Sequence, residues 1–144
     1  MKTNQILEKS AKGYVLFSIL SLIYVSILGI IDPQQVMDMV NVNLSNTDAI
    51  SSIRGVYGGV GLTISFFLIY LLFKKHQWAL SFLVVFWGCY AMSRVLTIMI
   101  DGSLGDFGVK WLLIESCLFF LGGSLLVSIN LLKKTEELLY SVMD

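Results

Sequence analysis

A chain of 144 residues that is 56% hydrophobic and 14% charged, with Lys+Arg 10 balancing Asp+Glu 10, is not composed like a soluble domain, in which about 25% of residues are charged. The mean hydropathy of +0.80 points the same way, to a membrane protein. No basic block exceeds Lys74-Lys75 or Lys133-Lys134, so the phosphate-neutralising surface that nucleic-acid binding requires is missing and no nucleic-acid partner is expected.

In chain order, Met1 to Lys12 is polar, with Lys2, Lys9 and Lys12 set against Glu8. An uncharged run over about 13–31 follows, close to the ~20 residues a helix needs to cross the hydrocarbon core. A signal peptide has a shorter apolar core of about 7–15 residues, ending in a small-residue cleavage site. Here the run ends in Gly29-Ile-Ile-Asp32-Pro33 and reads as a retained first span. Pro33 disfavours helix in the residue before it and suits the first turn of a new one. A short interfacial helix is therefore expected over Pro33 to Val40, followed by a wet segment from Asn41 to Ser52 in which Asp48 or a neighbour caps the next helix.

The second span, about 53–73, opens with Arg54-Gly-Val-Tyr57-Gly58-Gly59-Val-Gly61. The four-residue spacing of Gly55 and Gly59 lets helix backbones approach, and Arg54, Gly58, Gly61 and Ser65 share one face. No phosphate-loop pattern accompanies these glycines, so packing is the expected role. Lys74-Lys75-His76-Gln77 connects to a third span at about 78–100. The loop Asp101-Gly-Ser-Leu-Gly-Asp106-Phe-Gly108 then leads to a fourth span at about 110–132 and a charged tail.

The expected architecture is all-α: one domain over 1–144, an integral membrane four-helix bundle with antiparallel up-down topology. Lysines gather at the amino terminus, the 74–77 connection and the tail, while Asp32, Asp38, Asp48, Asp101 and Asp106 occupy the other two loops. The excess of Lys and Arg on cytoplasmic ends then predicts a multi-pass protein of the bacterial inner membrane with both termini cytoplasmic.

Cys89 and Cys117 lie in separate apolar runs with no second cysteine nearby, and His76 is alone. No metal site, cofactor or redox pair can be assembled from that spacing, and the thiols are expected to be buried as small apolar groups.

Arg94, Asp101 and Glu115 are the informative residues, because a charge at membrane depth costs at least a few kcal/mol and usually faces a partner. Arg94 lies about seven residues before Asp101 and Glu115 about five after Lys110, so at ~1.5 Å per residue both sit roughly 8–10 Å below the outer boundary. A direct or once-bridged Arg94–Glu115 pair is expected between antiparallel neighbours. Trp87, Tyr90, Arg94, Thr97 and Asp101 share a face of the third span, while Arg54 and Tyr57 open the second on the same outer side. A binding pocket built from Arg54, Tyr57, Tyr90, Arg94, Asp101 and Glu115 is the economical inference. The alternative is a pair that only fixes helix order and register.

These residues carry a family resemblance. Arg54-Gly-Val-Tyr57-Gly58-Gly59 opening the second span, Arg94 to Asp101-Gly102 closing the third and Glu115 in the fourth resemble the bacterial membrane family known as domain of unknown function 4345, which is itself distantly similar to DoxX-like proteins. The resemblance covers the chain from the first span to about Asn130. It implies four transmembrane helices with Arg54, Arg94, Asp101 and Glu115 as family-type polar positions, and it supplies no activity. Family members often carry a proline soon after the Asp-Gly, where this chain has Ser103-Leu104-Gly105.

Three functional classes follow. The first is a non-enzymatic module that binds a small or lipidic ligand in the outer half, or serves as an accessory subunit beside a homo-oligomeric or partner membrane chain. The second is a small-solute or proton-coupled transporter using Glu115, although the chain has no inverted repeat. The third is a purely structural membrane protein. No nucleophile–base pair is visible, so no catalytic residues are assigned.

Overall fold

In the computed structural model, which describes residues 2–143, every regular element is a helix among the described residues. Helix α1 covers Lys2–Ile31 and α2 covers Pro33–Asp38. Helix α3 (Thr47–Ile53) continues through a π-helical segment, Arg54–Val60, into α4 (Gly61–Lys74). After Lys75 come α5 (His76–Ile100) and α6 (Asp106–Met143). Among the described residues, four helical stretches are long and apolar enough to cross a membrane: Asn4–Ile31, Thr47–Lys74, His76–Ile100 and Asp106–Glu136.

The helices exceed the expected spans because polar residues extend them past the apolar runs. The amino-terminal lysines belong to α1, and the charged tail continues α6. The second long helix starts at Thr47, where the extended Asn46 accepts a hydrogen bond from the Ala49 N–H at 2.8 Å and Asp48 occupies the first turn. That is an ordinary amino-terminal cap, supplied by Asp48's neighbour. Pro33 opens α2 as expected, with Asp32 as its cap. The 74–77 connection contracts to Lys75 alone.

The contacts group the chain into two compact units. The first joins the amino-terminal part of α1, up to Val15, to everything from Lys75 onward. Its contacts step from Gln77–Lys133 through Gly88–Phe119 to Arg94–Glu115, so α5 and α6 run antiparallel. Tyr14 of α1 donates to the Leu118 carbonyl at 2.9 Å, and its ring lies where a Cβ at Gly122 would fall. Ala11, Tyr14, Leu80, Leu83, Trp87 and Ile129 form the buried apolar side of this unit.

The second unit is Leu16–Lys74. Here the carboxy-terminal part of α1 meets the glycine-rich start of the second long helix. A Cβ at Gly29 would lie 2.8 Å from the Tyr57 Cβ and 3.0 Å from the Gly58 N, and one at Gly58 would lie 2.5 Å from Ile30 Cδ1. Gly61 faces the Ser26 hydroxyl in the same way. Gly58, Gly61 and the buried Ser65 thus make the expected contact face. Gly55 and Gly59 do not belong to it, since a Cβ at either would meet nothing within 4 Å. Their four-residue spacing puts Gly55 and Gly59 on a stripe of their own, which lies round the helix from the one that carries Gly58, Gly61 and Ser65.

Both cysteines are free and exposed, correcting the expectation of burial. Beside a lipid phase the argument for burial lapses, because acyl chains are as apolar as a protein core. The same reasoning covers Phe17, Tyr24, Phe66, Phe73, Met99, Ile100 and Phe120, all exposed by more than half.

Candidate functional site

Arg94 and Glu115 form a direct ion pair. The Arg94 Nε donates to Glu115 Oε2 at 2.6 Å and Nη2 donates to Oε1 at 2.9 Å, so both carboxylate oxygens are held by one planar guanidinium. This two-point arrangement is among the stronger forms of charge pairing. Glu115 is 1% exposed, whereas the Arg94 side chain retains 21% exposure. The loop between α5 and α6 brings them together. Gly102, with φ of 108°, closes α5 in a conformation that side chains rarely adopt. Asp101 and Gly102 both donate their N–H to the Thr97 carbonyl, and α6 resumes at Asp106.

The face of α5 below Arg94 is aromatic. Tyr90 stands 4.9 Å from the Phe86 ring and 6.4 Å from the Trp87 ring, centroid to centroid. Trp87 is 5% exposed, and its indole N–H has no acceptor among the described residues. Trp87 was visible in the sequence as a member of this face, but nothing in its spacing revealed that its donor would be left over. Asp101 is exposed and serves as the carboxy-terminal cap residue of α5. A shallow groove, lined by Phe119, Phe120, Gly123, Ser124, Val127 and Ser128, runs along α6.

The remaining two candidates lie in the Leu16–Lys74 unit. The Nε of Arg54 donates to the Ile30 carbonyl at 2.9 Å. Ile30 is in the last turn of α1, where carbonyls lack helical partners and a cation complements the helix dipole. Tyr57 lies in the π segment, 37% exposed, with its Cβ against Gly29. Neither the wide turns nor the Arg54–Ile30 bond was foreseen; the density of glycine in Arg54-Gly-Val-Tyr-Gly-Gly-Val was the one available signal.

The family described as Domain of unknown function (DUF4345) matches residues 10–126. The chain belongs to that family. The DUF4345 match includes all six candidate positions, from Arg54 to Glu115, and stops short of the carboxy-terminal part of α6. Comparison with curated proteins and with solved structures finds no match. Family and fold together make this a membrane protein of four long apolar helices.

Proposed function

We propose that the chain is a non-enzymatic module of the bacterial inner membrane, with both termini cytoplasmic, that binds a small or lipidic molecule in the outer half at the Arg94–Glu115 pair. The observation that carries this reading is the one-sided exposure of the pair. Glu115 is enclosed and each of its oxygens accepts from Arg94, whereas Arg94 keeps 21% exposure and commits two of the five N–H donors of a guanidinium to Glu115. The unpartnered Trp87 N–H lies two turns away on the same face of α5. Both groups only donate, so a complementary ligand offers acceptor oxygens. The pair is neutral as a whole, which favours an uncharged carbonyl, ester or ether over an anion.

Tyr90 and its aromatic neighbours would contact the apolar body of such a ligand, with Asp101 at its outer margin. A proton-coupled carrier working through Glu115 is less well supported, since a titrating carboxylate has to exchange partners and both oxygens here are occupied by one guanidinium.

The test compares organic extracts of the purified parent with those of an Arg94→Met/Glu115→Gln double variant and of Trp87→Phe, each shown to be folded by its melting curve. A molecule that co-purifies with the parent and is depleted from both variants is the expected result. Identical extracts from all three would leave the pair as scaffolding.

A further inference from the structure

The first unit carries a second polar cluster, at its lysine-rich end. Lys133 Nζ donates to Gln77 Oε1 at 2.9 Å, and Asn4 Nδ2 donates to Glu136 Oε1 at 3.4 Å. The beginnings of α1 and α5 and the last turns of α6 therefore share one end. Lys12, Glu8 and Lys133 are within electrostatic reach of His76. Three polar atoms here are shielded from solvent and have no partner among the described residues: Gln77 Nε2, His76 Nε2 and Asn4 Oδ1. A buried polar group left unpaired costs about 1–3 kcal/mol, and here three of them lie on elements joined by the Asn4–Glu136 and Gln77–Lys133 bonds.

Their chemistry is specific. Gln77 Nε2 only donates and a ring nitrogen of His76 can donate, which suits an oxygen-rich anion flanked by the ammonium groups of Lys12 and Lys133. Asn4 Oδ1 only accepts, which suits a hydroxyl on the same molecule. Glu8 and Glu136 offset part of the positive charge, so donor geometry matters as well as charge. Ile6, Trp78 and Leu131, one or two positions along the chain from Asn4, Gln77 and Lys133, are 63%, 68% and 60% exposed and offer an apolar margin at this end. A free anion has no use for such a margin, whereas acyl chains do. Lys75 is held over the Trp78 ring at 5.9 Å, in the manner of an interfacial aromatic anchor.

We propose that this end of the first unit binds an anionic, hydroxyl-bearing phospholipid headgroup, with Lys12 and Lys133 supplying charge, Gln77 and His76 donating to the phosphate, and Asn4 accepting from the hydroxyl. Basic recesses at the ends of transmembrane helices are suited to such headgroups.

Native mass spectrometry of the full chain in detergent, with phosphatidylglycerol and phosphatidylcholine added in turn, tests the assignment. At about 1 kcal/mol for each lysine near an anionic surface, phosphatidylglycerol should bind on the order of 10-fold more tightly than phosphatidylcholine. Lys133→Gln should weaken phosphatidylglycerol roughly fivefold, and Gln77→Ala, which alters no charge, should also weaken it, whereas Lys110→Gln at the other end of α6 should change it less than about twofold. Equal affinity for the two lipids, or equal losses from Lys133→Gln and Lys110→Gln, would overturn the site. Displacement of the lipid by millimolar inorganic phosphate would overturn the headgroup assignment in favour of a free anion.

Discussion

At the scale of single residues, the ion pair is asymmetric in burial, with Glu115 almost wholly enclosed and part of Arg94 accessible. Removing the arginine strands an enclosed carboxylate, while removing both charges strands no charge, so the two substitutions should not add. Thermal denaturation in detergent of Arg94→Met, Glu115→Gln and the double variant should give a coupling energy on the order of 1–3 kcal/mol. Strictly additive losses would show that the groups stabilise the chain separately. The pair itself was legible in the sequence, because two charges in otherwise uncharged runs, at matched depth on successive helices, have few other ways to be satisfied. The unpartnered indole of Trp87 was not legible, since whether a donor finds an acceptor depends on rotamers that no spacing encodes.

At the scale of elements, apolar runs located all four long helices, but their ends went further than hydropathy indicates. Asn46 caps the second one and lysine-containing turns extend the first and last, which capping and helix propensity decide rather than transfer to lipid. The glycine-rich opening of the second long helix was legible as a contact, and regular 3.6-residue counting placed Gly58, Gly61 and Ser65 on one face; that the second glycine stripe, Gly55 and Gly59, meets open space was not legible. That distinction is measurable. Gly58→Leu and Gly61→Leu push side chains into Ile30 and Ser26 and should each lower stability by about 1–3 kcal/mol. Gly55→Leu and Gly59→Leu enter open space and should be neutral or slightly stabilising, since leucine is the better helix former. Comparable melting temperatures for all four variants would mean that the α1 contact is not maintained in the membrane.

At the scale of the whole molecule, the lysine distribution makes a claim about sidedness. A cysteine introduced near Asn43, in a background lacking Cys89 and Cys117, should react with an impermeant maleimide added outside intact cells, and one near Thr135 should react only after permeabilisation. The opposite pattern would reverse the orientation and place the Arg94–Glu115 pair nearer the cytoplasm. The pair also imposes an order on biosynthesis. Its members are 21 residues apart, so at about 5–20 residues per second the ribosome delivers the guanidinium roughly 1–4 s before the carboxylate that neutralises it. A membrane-inserted α5 without α6 would carry an uncompensated cation. Insertion of the two helices as one hairpin avoids that state, so a chain truncated after Ile100 should integrate α5 less well than one carried through α6.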